Sequence, residues 1–455
     1  MNDSRRHAIV LGAGMAGLLA ARVLTGHFQR VTVVERDHLP SDPVFRAGVP
    51  QSRHVHALWS RGIAIVESLF PGIEEQLRAA GAPVLSVPAD MLWLTPTGWR
   101  RRFPSTRMLT CSRELLEWSV RDRLARAKGV EVLSGHEGVG LITDSTGLRI
   151  TGVEIRQRGQ KDSSSQLLAD LVIDANGRSS RTVDWLRALG CPTVPQDHVD
   201  PFLGYASRSF AIPSTFSADW KAVFLQGAPQ ENARSGVLFP QEGGRWIVSL
   251  FGRGNDLPPT DEDGFLNFAA SLRSPVLHEA IEKAEPLTPV TSYRHTVNRR
   301  LRYEQLRGLP RRLVVLGDAA CAFNPIYGHG MSVAAISAAA MDSALRTDES
   351  LDEVTHRLQK QIAKEASGAW LIATGEDSRY HTTQGPRVNI PAKIVNRYLG
   401  RVASASNVDE QVCSALMDVM VLNAPPTSLF RPTVMLRSAA NRSVPSSAYP
   451  YSEEQ

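Results

Sequence analysis

The stretch from His7 to Asp37, HAIVLGAGMAGLLAARVLTGHFQRVTVVERD, limits the possible folds of this chain more than any other. Ala8 to Leu11 reads as a buried strand, and Gly12, Gly14 and Gly17 follow it at G-x-G-x-x-G spacing. Ala16 to Gly26 reads as a helix, and Val31 to Val34 as a second strand that ends in Glu35. Each glycine has a physical task. Gly12 permits the tight turn, Gly14 lets backbone amides approach a pyrophosphate at the helix N-terminus, and Gly17 allows close packing of helix on strand. Glu35 is placed to accept hydrogen bonds from an adenosine ribose. Strand, glycines, helix, strand and acid in this order specify a dinucleotide-binding βαβ unit without saying which dinucleotide.

Composition narrows the partners. With 455 residues, 42% hydrophobic and 21% charged, the chain is long enough for two or three domains around a large core. The net charge of +5 comes from 44 Arg and 7 Lys dispersed among 46 acids, with only short clusters such as Arg100, Arg101 and Arg102. No basic run marks a nucleic-acid arm, so no nucleic-acid partner is expected. Cys111, Cys191, Cys321 and Cys413 are far apart and lack metal-ligand spacing, so neither a disulfide framework nor a metal site is expected. MNDSRRH runs straight into the first strand, and no apolar run reaches the roughly 18 residues of a spanning helix. The expectation is a reduced, cytoplasmic protein with no membrane span.

Further along, Leu58 to Leu69 reads as helical, and Ser112 to Ala127 as an amphipathic helix capped by Ser112 with Arg113 in its first turn. Gly147 to Gln157 is expected to pair with a strand at Leu167 to Ile173 across a turn at Gln160 to Ser165. DANGRSSRTVDWL then compresses Asp174, Asn176, Gly177, Arg178, Ser179 and Arg181 into a turn before a helix. Between residues 200 and 300, short alternating runs read as strands of a mixed or antiparallel sheet rich in aromatics. Some of these are core, and the rest suit a large apolar cavity. A second strand-turn-helix follows: Leu313 to Leu316, Gly317 and Asp318, Pro325 and Tyr327, then Gly328 and Gly330 before a small-residue helix from Ser332 to Leu345. Val354 to Trp370 is the clearest later helix, followed by a polar linker, helices near Ile390 to Leu399 and Asp409 to Leu422, and a tail.

Together these separated pieces resemble the single-component, group A flavoprotein monooxygenases with the para-hydroxybenzoate-hydroxylase-like fold. Three fingerprints carry the resemblance over residues 5 to about 346: Gly12, Gly14 and Gly17 with Glu35; Asp174, Asn176 and Gly177; and Gly317 with Asp318. More narrowly, VPQSRHVHALWSRG and the Pro-Ile-Tyr-Gly-His-Gly segment look like the FAD epoxidases of polyether polyketide pathways. Asn176 stands where many hydroxylases carry Asp, and Cys321 where many have His. The implied fold class is α/β: a Rossmann-like FAD-binding domain (1–82, 109–190 and 301–346) with an inserted mixed or antiparallel β-sheet substrate domain (83–108 and 191–300). A C-terminal helical region (347–445) and a tail (446–455) complete it.

The resemblance implies FAD held by Gly12, Gly14, Met15, Ala16, Gly17, Glu35, Arg36, Arg53, Arg113, Gly177, Asp318, Pro325, Gly328, Gly330, Met331 and Ser332. Arg113 matches a pyrophosphate-contacting Arg, Asp318 a ribityl-contacting carboxylate, and Pro325 to Ser332 the segment along the isoalloxazine. The implied chemistry is the cofactor's: oxygen transfer from a flavin C4a-hydroperoxide, with NADPH or NADH as reductant or a flavin reductase as partner. His54, His56 and His329 are the candidates to act near the ring, and Tyr205, Phe224, Phe239, Trp246 and Tyr327 to line the cavity. The expected substrate is a large apolar polyketide or polyene, epoxidised or hydroxylated by a monomer or homodimer in secondary metabolism.

Two other classes share these fingerprints. A flavin halogenase needs an early reactive Lys and a Trp-x-Trp-x-x-Pro motif, whereas the first Lys here is Lys128 and Trp99 leads into GWRRRFP. An FAD-binding cyclase that folds a linear polyene by Diels-Alder-like cycloaddition, without redox change, is the alternative. Every fingerprint reports FAD binding and none reports oxygen turnover.

Overall fold

A computed structural model describes residues 5–160, 163–386 and 390–441; the expected tail at 446–455 lies outside them. At its centre is a five-stranded parallel sheet in the order Leu313–Val315, Leu171–Asp174, His7–Leu11, Arg30–Glu35, Val130–Ser134. His7–Leu11 is buried throughout, as an apolar strand between two parallel neighbours must be. Its register aligns Val10 with Val33 on one side and with Ile173 on the other. Helices Met15–Leu24, Arg113–Ala125 and Gly330–Leu345 pack one apolar core with residues of this sheet. Ser112 caps its helix as expected, its hydroxyl accepting the Leu115 amide at 3.1 Å.

The other side of the parallel sheet carries a three-stranded antiparallel sheet, His136–Thr143, Ile150–Gln157 and Ser164–Leu168. Here the expected strand Leu167 to Ile173 is corrected, because it is two strands. Ser164–Leu168 pairs antiparallel with Ile150–Gln157, whereas Leu171–Asp174 joins the parallel sheet. Asp170 makes the break: its carboxylate accepts the Arg6 and His7 amides at 2.9 and 3.0 Å, drawing the chain into register beside His7–Leu11. The segment HEGVG, which carries no clear strand period, is part of the strand His136–Thr143.

A seven-stranded sheet, in the order Thr291–Tyr293, Leu203–Ala211, Arg245–Arg253, Ser235–Gln241, Ala222–Leu225, Met91–Thr95, Gly98–Trp99, stands apart from the nucleotide-binding sheet. Alternation divides its side chains between two faces. Ala206, Phe210, Trp246, Val248 and Leu250 pack with Phe265, Phe268 and Leu277 of the helices Glu262–Ala270 and Val276–Ile281. Tyr205, Val237, Phe239, Ile247 and Phe251 face the opposite way, toward Trp59, Met108, Cys413 and Met417. Burying large apolar side chains on both faces contributes roughly 1.5–3 kcal/mol each before entropy is counted.

The long helix Leu351–Asp377 lies across the second strand-turn-helix, and Ile390–Ala405, Glu410–Met420 and Pro432–Ala440 follow. It runs seven residues beyond the expected end at Trp370, into what reads as a polar linker. Among the described residues no helix is long and apolar enough to cross a membrane.

Candidate functional site

The glycine loop meets the demands placed on it atom by atom. Gly12 has φ +98°, and a Cβ there would come within 2.6 Å of the Ala175 carbonyl oxygen. On Gly17 a Cβ would stand 1.9 Å from the Gly12 oxygen. Gly14 caps helix Met15–Leu24 with no side-chain acceptor, and a Cβ on it would meet nothing within 4 Å. Free amides at a helix N-terminus therefore face open space, the arrangement an anionic pyrophosphate requires.

Behind the loop sits a buried charge network. Glu35 accepts the Ala13 amide at 2.7 Å and the Asp37 amide at 2.9 Å. Arg46, 8% exposed, lies 2.7 Å from Glu117, 3.1 Å from Asp37 and 3.4 Å from Glu35, and it donates to the Ala13 carbonyl. Burial pulls the Arg46 guanidinium down, but Glu117 and Glu35 outweigh it and hold it above its ordinary value. Arg113 completes the network at 2.8 Å from Glu117. Arg46 was missed in sequence because nothing in VFRAG distinguishes it from a solvated surface arginine. Arg36 and Arg53 are exposed at the rim, and the Arg53 guanidinium lies 3.7 Å from the Phe45 ring centroid.

The second half of the site closes against the first. Gly317 has φ +62°, and a Cβ there would fall 2.7 Å from the Ala16 side chain. Segments some 300 residues apart in sequence therefore touch. Asp318 stands next to Gly177 and Gly330, with Arg178 Nε 3.8 Å from its carboxylate, and its side chain keeps 38% exposure. Asp174 proves to be internal support for its own turn, accepting the Asn176 amide and side chain and the Thr182 and Ser180 hydroxyls. Gly328 has φ +65° beside the unpartnered Trp59 indole nitrogen. Helix Gly330–Leu345 starts without a side-chain cap; Met331 and Ser332 are buried in its first turn, and the Ser332 hydroxyl has no partner among the described residues. Uncapped helix starts, an open half-exposed Asp318 and orphaned polar atoms are what FAD would complete.

Pro325–Tyr327 is held from outside the expected cofactor region. The Asp377 carboxylate, fully buried at the end of Leu351–Asp377, accepts from Arg253 at 3.1 Å, Asn298 at 2.8 Å, Asn324 at 3.1 Å and the Tyr327 hydroxyl at 2.8 Å. Tyr327 thus turns its hydroxyl into the protein, and burial pushes its pKa well up. Asp377 was also missed, since it reads as part of a polar linker.

The three histidines have different chemistry. His54 is 3% exposed; its Nδ1 lies 2.8 Å from Ser207 Oγ, which lies 2.5 Å from Ser249 Oγ, and the Val55 amide donates to Ser249 at 3.2 Å. Ser249 accepts that amide, and its hydroxyl shares a hydrogen bond with Ser207, which shares one with Nδ1. The His54 Nε2 is buried with no partner among the described residues. Tyr205 and Tyr293 pack edge-on to its ring at 4.6 and 5.6 Å. Burial, helped by His56 and Arg53, lowers its pKa to about 3. His56 donates from Nδ1 to the His54 carbonyl at 3.0 Å, and burial lowers it to about 4. His329 donates from Nε2 to the Met420 carbonyl at 3.0 Å and keeps a buried, bare Nδ1 lone pair; burial lowers it to about 4.

Tyr205 and Phe239 are buried and Phe224 half-buried on the sheet face that also meets Ile326 and Tyr293. Trp246 is a correction: it points from the opposite face into the helices, with the Phe216 ring edge-on at 4.7 Å, and is core. Among the described residues no cluster of His, Cys, Asp and Glu could hold a metal ion.

The family model for the FAD binding domain matches residues 5–348. Protein Rv3254 of Mycobacterium tuberculosis is 32% identical over 404 residues, which is 85% of this chain and 83% of that protein. The structure of the flavin-dependent brominase Bmp2 aligns with TM-score 0.66 at 13% identity, covering 95% of this chain and 98% of that one. A mutant of 2-methyl-3-hydroxypyridine-5-carboxylic acid oxygenase aligns with TM-score 0.60 at 18% identity, covering 86% and 96%. At such identities both structures speak for the fold alone.

Proposed function

This chain belongs to the FAD-binding-domain family and has the fold of the group A flavoprotein monooxygenases, and from that premise we propose that it oxygenates a large apolar polyketide or polyene. The observation that carries this reading is an aromatic sheet face, with Tyr205, Phe224 and Phe239, that includes Ile326 of the Pro325–Tyr327 turn.

In this reading Gly12, Gly14, Met15, Ala16 and Gly17 hold the pyrophosphate, joined by Arg113. Glu35, Arg36 and Arg53 hold the adenosine end, and Gly177 and Asp318 the ribityl chain. Pro325, Gly328, Gly330, Met331 and Ser332 border the ring system. FAD, when bound and reduced by NADPH, NADH or a partner reductase, supplies the activation of molecular oxygen. The chain supplies a dry, apolar surface that excludes water and presents one double bond. His54, neutral at pH 7, contributes an unpartnered ring nitrogen at Nε2, and His329 an acceptor at Nδ1. Neither acts as a standing cation.

The test is direct. Purified yellow protein, given NADPH or reductase-supplied electrons and a polyene, should consume oxygen and return product heavier by one oxygen atom. Product of unchanged mass, formed without oxygen or reductant, would replace this reading with cycloaddition.

A further inference from the structure

Arg100 is a buried cation with no anion beside it among the described residues. The residue is 3% exposed, and its guanidinium lies 4.2 Å from the Trp93 ring centroid. One nitrogen, Nη2, donates to the Ser406 hydroxyl at 3.1 Å. The other two, Nε and Nη1, are buried without a partner. Burial works against the charge and lowers the pKa. A stacked aromatic ring offsets part of the desolvation of a guanidinium, but it uses the flat face of the group and leaves the N–H donors on its edge unsatisfied. Buried donors left vacant on a charged group are the condition that folded chains otherwise avoid.

Its position gives the vacancy a meaning. Trp93 belongs to the sheet face that carries Phe224, Phe239 and Tyr205, and the Trp93 and Phe224 rings are 5.5 Å apart. From Trp93 to Tyr293, which packs against His54, the face crosses five strand-to-strand steps. At the usual spacing of strands that is about 24 Å. Along it Phe224, Tyr293, Ile326 and Met420 are only half-buried, while Cys413 and Met417 of Glu410–Met420 pack over the Arg100 end. The face is thus long and apolar, with the neutral ring of His54 at one end and an unmatched cation at the other.

We propose that Arg100 receives the carboxylate head group of an elongated apolar substrate, whose chain runs across this sheet face toward His54 and Tyr293. The inference rests on the reading of that face as the substrate surface. It adds that the substrate is an acid, and that the carbons presented for reaction lie far from the acidic end.

Oleate and methyl oleate, titrated into the oxidised holoprotein, test it without turnover, followed by tryptophan fluorescence and by the visible band of the flavin. Oleate should bind about tenfold or more tightly than the ester. Arg100→Met should abolish that difference, and Arg100→Lys should reduce it, because an ammonium lacks the planar array of donors. Equal binding of acid and ester by the wild type, or an undiminished difference in Arg100→Met, overturns the proposal. If Arg100→Met does not accumulate as a flavoprotein, an undiminished difference in Arg100→Lys overturns it instead. Oxygen uptake is scored separately. Arg100-dependent binding of the acid without oxygen uptake leaves the head-group site standing and removes the monooxygenase reading, whereas oxygen uptake with no acid preference does the reverse.

Discussion

Asp377→Ala is expected to destabilise the protein by about 4–5 kcal/mol and to loosen the turn that borders the proposed flavin ring. The magnitude follows from what the carboxylate holds. Arg253 has a side chain 5% exposed, and Asp377 is its ion-pair partner at 3.1 Å. Removing one member of a buried pair costs about 3–5 kcal/mol, because the remaining charge is left uncompensated. Arg253 keeps the Tyr380 ring at 3.7 Å and the Pro201 carbonyl at 3.4 Å, which places its share at the low end. Asn298 Nδ2 keeps the Val199 carbonyl at 3.4 Å, while Asn324 Nδ2 and the Tyr327 hydroxyl lose an acceptor, at about 1 kcal/mol each once water is admitted. For a chain of 455 residues the entropy of unfolding is about 1 kcal/mol per degree, so Tm should fall by about 4–5 °C. Circular dichroism reports the fold, and recovery of flavin fluorescence on heating reports release of the cofactor. Both midpoints should drop, and the flavin midpoint should drop at least as far, because Asn324 and Tyr327 flank the turn. A variant with wild-type midpoints in both would refute the reasoning, since it would show that Arg253 is compensated elsewhere.

Acid should weaken the fold through the three site histidines. Their folded pKa values of about 3, about 4 and about 4 lie below the ordinary 6.5, so below that value the unfolded chain binds protons that the folded one refuses. Stability should therefore fall from about pH 6.5 toward pH 4 with a slope approaching three protons, and these groups should contribute no slope above about pH 7.5. A Tm flat across the acidic window would contradict their neutral burial. The last two glycines of the loop should separate folding from binding. Gly17→Ala forces a Cβ to within 1.9 Å of the Gly12 oxygen and should yield little folded protein, whereas Gly14→Ala meets no neighbour and should fold normally yet retain FAD poorly. The ratio of flavin to protein absorbance, with circular dichroism beside it, checks both, and full flavin retention in Gly14→Ala would count against the pyrophosphate assignment.

The glycine loop was legible in sequence because its constraints are local: each glycine answers to atoms within the same βαβ unit or its neighbouring strand. The strand break at Asp170 was not, because LLADLVID is a continuous apolar run interrupted by one acid, and only the Arg6 and His7 amides give that acid its role. Trp246 was misread for a related reason. Alternation places it opposite Ile247 and Ser249, but which face meets the site depends on helices at 262–281. Charge pairing is the least local property of all. Arg46, Arg113, Arg208, Arg253 and Arg300 are buried with a carboxylate within 3.6 Å, most from remote parts of the chain, whereas the buried Arg121 donates to the Pro40 carbonyl. A carboxylate beside a buried guanidinium offsets the cost of taking its charge out of water. Among the described residues Arg100 has only a hydroxyl and an aromatic ring, on the face proposed to receive the substrate. An anion arriving with the substrate would match it as Asp377 matches Arg253, and would make binding energy out of a charge that folding alone leaves unbalanced.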